Sequence, residues 1–336
     1  MSTQTLRNQL GFAAGIALRR PFQCLIQVTN RCNMKCSFCD FWPNGVPPAQ
    51  ELSLEDYRRI ADELSGMGRF LISIEGGEPF VRRDLVEIVR TLSSRHVPVL
   101  YTNGWYVDAA AARNLFEAGL TQVGVSIDFP DAARHDAKRG ITGAFERARN
   151  AVELFREAAP HGGKQVHVMS VLMRENEDCL EELLQLSAAL GVGHCMTLLS
   201  DKGFRRGKTD TLPQPGISTK LLTLWKRYPH LRMFRDYLAQ IDVFLAKQDM
   251  PTCHAGVQSF NIDHCGNVSP CIEKINQPVG NVREAPLAEL VSRMRALESV
   301  STCQDCWTLC RGFGQILGGG GSASGWRDLA VRMRSS

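Results

Sequence analysis

Between residues 24 and 199 the chain alternates short apolar runs with longer amphipathic stretches. The short runs are Cys24–Thr29, Phe70–Ile74, Val97–Thr102, Gln122–Ile127, Gln165–Leu172 and Gly193–Leu199. Most are continuous rather than alternating, as strands of a parallel sheet buried on both faces must be. The stretches between them read as helices. One starts at Ser53, capped in a Ser-x-x-Asp arrangement with Asp56, and runs to about Leu64. Arg83–Ser94, Ala109–Glu117, Phe145–Glu157 and Cys179–Leu190 follow, the last with Leu180, Leu183, Leu184 and Leu190 on one stripe. Six βα units predict an α/β fold, a partial (β/α)6 TIM-like barrel of parallel strands, short of the eight units that close a full barrel.

Beyond Asp201 the pattern breaks into a polar connection to Pro215, followed by helical patterns at Leu221–Arg227 and Phe234–Lys247. A cysteine-rich region begins near Pro251. It predicts a hairpin, Ser259–Ile262 and Val268–Ile272 about a turn at Cys265-Gly266-Asn267, and a helix over Leu287–Leu297. Gly318–Gly325 reads as flexible and Trp326–Arg334 as a short terminal helix. The expected organisation is a leading segment 1–21, a core 22–200, a helical connection 201–250, a small C-terminal cysteine-rich hairpin-plus-helix domain 251–315 and a Gly-rich tail 316–336. In the leading segment an apolar patch, Leu10–Leu18, is closed by Arg19 and Arg20. A secretory signal carries its charge before the apolar stretch, so a short packed helix is the better reading, with peripheral membrane contact the weaker one.

Composition adds limits. The 336 residues are 44% hydrophobic and 22% charged, ordinary for a globular protein. A net charge of +4, spread along the chain, argues against a nucleic-acid partner. No apolar run approaches the ~18 residues of a transmembrane segment. Twelve cysteines without a signal peptide point to a reducing, cytoplasmic setting without disulfides. Nine of them fall in two clusters, 32–39 and 253–310, and clustering points to metal. Cys24, Cys179 and Cys195 lie in apolar patterns and read as buried, inert thiols.

The first cluster is Cys32-x3-Cys36-x2-Cys39, just after the first strand. Three thiolates from one loop can hold a four-iron cluster and leave one iron open to a ligand; structural zinc is the competing reading. Parallel βα arrays bind ligands at the carboxyl ends of their strands. Glu75-Gly76-Gly77-Glu78-Pro79 follows the second strand there, Thr102-Asn103-Gly104 the third, and Ser126-Ile127-Asp128 ends the fourth. Each alone could be a turn. Together they mark one rim.

On these residues, over about 22–200, the chain resembles the radical S-adenosylmethionine (SAM) enzymes. The cysteine spacing with Phe38 before the last cysteine and the Gly-Gly-Glu-Pro run are the marks of that family. The resemblance implies that Cys32, Cys36 and Cys39 ligate a 4Fe-4S cluster whose open iron is chelated by SAM. It further implies that Gly76 and Gly77 admit close backbone approach to the methionine end, Glu78 meets its ammonium, and Phe38 lies near the adenine. Thr102, Asn103, Ser126 and Asp128 would offer polar groups to the ribose and methionine parts. Glu75 departs from the small or hydroxyl residue usual before Gly-Gly-Glu-Pro, and the plainer expectation is that it points away into a salt bridge.

Cys253-x11-Cys265-x5-Cys271, followed by Cys303-x2-Cys306-x3-Cys310, has the form of a zinc ribbon but resembles the SPASM and shorter twitch extensions of the same family, which hold auxiliary 4Fe-4S clusters. Six cysteines are too few for two clusters, so one is expected. Cys253, Cys271, Cys303 and Cys306 are the ligand set in the twitch manner; Cys310 could replace one, and Cys265 could be a spectator. The implied function is reductive cleavage of SAM to a 5′-deoxyadenosyl radical that abstracts hydrogen from a small molecule, for oxidation, epimerisation or C–C chemistry. The auxiliary cluster would relay an electron, and a flavodoxin- or ferredoxin-type partner would supply one. The alternative is a maturase of a ribosomal peptide or protein side chain; the roughly 23 residues before the first strand are too few for a leader-binding domain, which favours the small molecule. Cys195 could donate a hydrogen atom if it faced the barrel interior, though a packed core thiol is the stronger expectation.

Overall fold

The computed structural model describes residues 3–18, 20–204, 211–297, 300, 302–318 and 323–332. Six strands, β1 (Gln23–Thr29), β2 (Leu71–Gly76), β3 (Val97–Thr102), β4 (Gln122–Ser126), β5 (Val166–Leu172) and β6 (Gly193–Leu198), pair in parallel in sequence order. They curl into the partial barrel that the alternating pattern predicts. Helices α1 (Thr3–Ala17), α2 (Leu54–Met67), α3 (Leu85–Ser93), α4 (Ala109–Glu117), α5 (Ala132–Arg139), α6 (Ala144–Ala158) and α7 (Leu180–Ala189) precede or connect them. Helix α5 was not legible in the sequence: mostly Ala, Arg, Lys and Asp, it has no apolar stripe.

Each strand divides its side chains by a period of two. On β2, Ile72 and Ile74 point outward and are fully buried under the helices, while Leu71, Ser73 and Glu75 face the lumen. Val123 and Val125 on β4 and Val166 and Val168 on β5 complete the outer layer, all without exposure. Burying each such side chain contributes about 2 kcal/mol, which is why these runs carry almost no polar residue on that face. Helix α2 starts as expected, with a reciprocal capping box between Ser53 and Asp56.

The cysteine-rich region is joined to this sheet. After α8 (Ile217–Arg227) and α9 (Arg235–Leu245), strand β7 (Ser259–Ile262) pairs in parallel with β1, Gln23 opposite Ser259. Strands β8 (Asn267–Ser269) and β9 (Gly280–Asn281) continue antiparallel, giving one nine-stranded sheet in the order β6-β5-β4-β3-β2-β1-β7-β8-β9. Gln27 Nε2 donates to Asn261 Oδ1 at 2.5 Å, and the Phe70 and Phe260 rings meet edge-on at 5.8 Å. The second hairpin strand ends at Ser269, short of the expected Ile272, because Pro270 cannot continue the ladder.

Helix α10 (Leu287–Arg295) is followed by α11 (Leu309–Gly318) and α12 (Ala323–Arg332). Of the tail expected to be flexible, 319–322 lie outside the described residues, as do 205–210 in the 201–215 connection and the last residues of the expected terminal helix. Among the described residues no helix is long and apolar enough to cross a membrane.

Candidate functional site

The loop after β1 is fixed from three sides. Thr29 accepts from Arg31 N at 3.0 Å and donates to the Glu51 carboxylate, which pairs with Arg31 at 2.9 Å. From β2, Gly77 N donates to Thr29 O at 2.7 Å and Glu78 N to Arg31 O at 2.9 Å. The glycines are required by this contact. A Cβ on Gly76, at φ 140°, would lie 2.0 Å from Thr29 O, and one on Gly77 2.3 Å from Arg31 O. They therefore brace the cysteine loop as well as lining the lumen beside it. From α5, Lys138 O accepts from Ser37 N at 3.3 Å.

Cys32, Cys36 and Cys39 gather in this loop with Met34, Phe38, Trp105 and Ala144. Burial pushes the Cys32 thiol up to about 12 and raises Cys36; for Cys36 the nearby Arg139 guanidinium opposes the shift. Asn103 Nδ2 reaches Cys32 Sγ at 3.8 Å and Asn33 Oδ1 at 2.9 Å. Among the described residues, three ligand atoms within 4.8 Å of one another occur at Asp263, His264 and Cys265, not in either expected cysteine set. Thiolates sharing one zinc at bonds of 2.3 Å would stand about 3.8 Å apart. Three free thiols gathered on one loop supply the donor set of an iron–sulfur cluster and would leave one iron without a protein ligand.

The rim residues separate into those that face the lumen and those behind its wall. Gly76, Gly77, Thr102, Asn103, Ser126 and Phe38 face it. Glu78 is fully buried, accepting from Thr102 Oγ1 at 2.8 Å, Asn103 N at 2.7 Å and Phe80 N at 3.1 Å. Burial lifts its carboxyl to about 7 against these donors. Asp128 is also fully buried and pairs with Arg139 at 2.6 Å while accepting from Val171 N at 2.9 Å. It is Arg139 that reaches the lumen, between Asp128 and Cys36, its guanidinium 5.4 Å from the Phe38 ring centre. Arg139 escaped the sequence reading because α5 itself did; a lone arginine eleven positions past Asp128 carries no local signal. Glu75, expected to point away, instead lines the lumen in register with Gln27. Cys195 lines it too, 6% exposed, donating to Arg232 O at 3.4 Å, with burial raising its thiol to about 12. Cys24 and Cys179 are buried in the core.

The lumen-facing residues share one cavity of about 1030 Å³. It runs without a break from the cysteine loop down the barrel to α1 and α12. A second cavity of about 40 Å³ is lined by Cys253, Cys271, Cys303, Cys306 and Cys310. Burial raises the thiols of Cys271, Cys303 and Cys306, and each also feels Cys253. Lys274, 3.3 Å from Asp305, supplies positive charge beside Cys303 and Cys271. Cys310 borders both cavities. Cys265 stands apart in the β7–β8 turn, its N–H donating to Asp263. All twelve cysteines are free thiols.

Comparison with known proteins agrees with this arrangement. The family profile described as the radical SAM superfamily matches residues 26–187, and that of the SPASM iron–sulfur cluster-binding domain matches 253–307. An AdoMet-dependent heme synthase of Oleidesulfovibrio alaskensis is 30% identical over 294 residues, 79% of this chain and 72% of that protein. The mycofactocin maturase MftC of Mycolicibacterium smegmatis is 29% identical over 302 residues, 85% of this chain and 76% of its own. Among solved structures, native anSMEcpe with bound AdoMet and Cp18Cys peptide superposes with a TM-score of 0.62 at 20% identity, covering 87% of this chain and 89% of that one. The chain belongs to the radical SAM superfamily and carries a SPASM domain, so that it binds a 4Fe-4S cluster with SAM in the first and auxiliary iron–sulfur chemistry in the second.

Proposed function

We propose that the protein uses its SAM-derived radical to abstract hydrogen from a small molecule held inside the barrel. Cys32, Cys36 and Cys39 would hold the first cluster, and four of the five cysteines around the second cavity would hold one auxiliary cluster. With cluster and SAM bound there and one electron from an external reductant, these residues would hold the chemistry of reductive SAM cleavage to methionine and a 5′-deoxyadenosyl radical. The chain's own residues position and shield. Glu78, fixed by three neutral donors, holds Thr102 and Asn103 in place and puts negative charge behind the rim, suited to an ammonium. Arg139, held by Asp128, offers positive charge to a carboxylate, and Phe38 covers it. Ser126 offers a hydroxyl at the same level.

The observation that carries the reading is the depth of the lumen. Its volume is at the upper end of that of small-molecule pockets, and it lies below the cysteine loop, where a hydrogen donor can be enclosed away from water. The maturase reading has the likeness to MftC behind it, and a peptide would enter from the same rim. Free thiols throughout suit a cytoplasmic setting with a flavodoxin- or ferredoxin-type reductant.

The test is anaerobic reconstitution with iron, sulfide and SAM. Addition of dithionite should release 5′-deoxyadenosine, and replacing Cys32, Cys36 and Cys39 together by Ala should abolish release. Release by the triple variant would refute the assignment.

A further inference from the structure

We propose that the substrate is an amphiphile with a long hydrocarbon chain, taken from an anionic membrane surface through a portal at the amino end of the barrel. This rests on the radical reading above and names the substrate class for the same lumen.

The lumen reaches two terminal helices at the end opposite the cysteine loop. Leu6, Leu10 and Phe12 of α1 and Trp326, Leu329 and Ala330 of α12 line it there. Leu6, Leu10 and Trp326 are also 47%, 64% and 36% exposed, so the same side chains face both the cavity and solvent. Leu18, just after α1, and Val331 of α12 are exposed as well, at 63% and 72%. Among the described residues, five of the eight large exposed hydrophobic side chains therefore belong to these two helices and the residue after α1. Such a concentration, unlike scattered exposed leucines, marks a surface that meets something apolar.

The exposure is not that of unseated helices. Asn8 Nδ2 donates to Ser93 O at 2.9 Å and His96 O at 3.0 Å, and Phe12 meets Phe22 edge-on at 6.1 Å. A Cβ on Gly11 would lie 2.5 Å from Arg69 Cγ, so α1 rests directly on that side chain. On α12, Ser324 donates to Asp236 at 2.7 Å and Asp328 accepts from Arg235 N at 2.8 Å. Each helix is thus anchored by both polar and apolar contacts, Ile16 of α1 reaching the core, while Leu6, Leu10 and Trp326 stay exposed.

Charge completes the surface. Arg69 feels the charges of Arg7 on α1 and of Arg95, which pairs with Asp62, and Arg327 is exposed on α12. Apolar side chains flanked by arginines on short helices fit the interface of a negatively charged leaflet.

The interior matches an amphiphile entering head first. Six residues of β2 at about 3.3 Å each give a depth of roughly 20 Å. Leu71, Val97, Val99, Leu120 and Met169 line the way, with Gln23, Thr121, Gln122 and Gln165 set among them at the amino ends of the strands. Above them Tyr101, Gly124 and His167 are directly paired across β3, β4 and β5, and Glu75 faces the same space. Gly124 leaves room for the Tyr101 and His167 rings, whose centres are 6.3 Å apart. His167 Nδ1 is buried without a hydrogen-bond partner. A hydroxylated or amine-bearing head group would find donors and acceptors at that level while its chain trails to the portal.

Flotation of the reconstituted holoprotein with vesicles tests the surface, and titration with lysophosphatidylglycerols of increasing chain length tests the lumen. We expect flotation with phosphatidylglycerol vesicles and not with phosphatidylcholine, and affinity rising roughly fourfold per methylene until the lumen is filled. A Leu18→Glu, Val331→Glu double variant, altered where no side chain lines the lumen, should lose at least tenfold in vesicle binding. It should keep both its chain-length dependence and its dithionite-driven 5′-deoxyadenosine release, which also shows that it folds. Equal binding to both vesicle types, an unaffected double variant, or affinity independent of chain length would overturn the proposal. Wild-type protein that floats as expected but releases no 5′-deoxyadenosine would sink the radical reading alone.

Discussion

Glu78 is a carboxylate buried among neutral donors, and its energetics follow from that. Its carboxyl sits near 7 instead of 4.5, because burial disfavours the charge more than Asn103 N, Phe80 N and the Thr102 hydroxyl restore it. A raised acid means that the folded chain holds its proton longer than the unfolded one. Its contribution to stability is complete below the unfolded value and is lost as pH rises through about 7. The shift corresponds to something on the order of 3 kcal/mol across that window. In the metal-free chain, Glu78→Gln should be less stable than wild type at pH 5, since an amide NH2 then confronts backbone N–H groups. That gap should narrow by pH 8, as wild type alone acquires the buried charge. Urea unfolding at a series of pH values measures it; a gap that widens with pH would contradict the argument. An ammonium bound at the rim would reverse the trend by pairing the charge.

At the scale of elements, the meeting of β2 with the loop after β1 decides whether three thiols converge. Gly77→Ala places a methyl 2.3 Å from a backbone carbonyl that has nowhere to retreat without moving Cys32. We expect at least 2 kcal/mol of destabilisation together with loss of iron from the first site, read by iron analysis and absorbance after reconstitution. The same alanine placed at exposed Gly66, where a Cβ meets nothing within 4 Å, should do neither. Much of this was written in the sequence. Continuous apolar runs with helical stretches between them led to all six barrel strands, and motif spacing led to the rim. Even the orientation of Glu75 was available, since it shares the parity of Leu71 and Ser73. The place of β7 was not: a four-residue run does not say which strand it will join, and its partnership with β1 spans more than 230 residues of chain. Nor was Arg139, whose role exists only once α5 folds back over the cysteine loop.

For the whole molecule, the strand that leads into the first cysteine loop, β1, pairs with β7 of the hairpin that Cys253 and Cys271 flank, so the two sites share one sheet. Arg283 adds a second tie, donating to Asp56 at 2.8 Å on α2. If one auxiliary cluster joins the first, reconstituted protein should hold roughly eight irons. Replacing Cys253, Cys271 and Cys306 by Ser should leave roughly four, while Cys265→Ser should leave the count intact. Iron and acid-labile sulfide determinations decide this, and a fall on Cys265→Ser would overturn the ligand set. The pairing of β1 with β7 has a further bearing. Separate domains joined by a linker approach and part, so that electron transfer between them waits on their encounter. Here the gap is counted in strand register, and a slip of two residues would change it by about 6.6 Å. The sheet thus acts as a fixed ruler between the first cysteine loop and the Cys253–Cys271 side of the second cavity, and if electrons pass between the two sites the transfer rate should be indifferent to solvent viscosity.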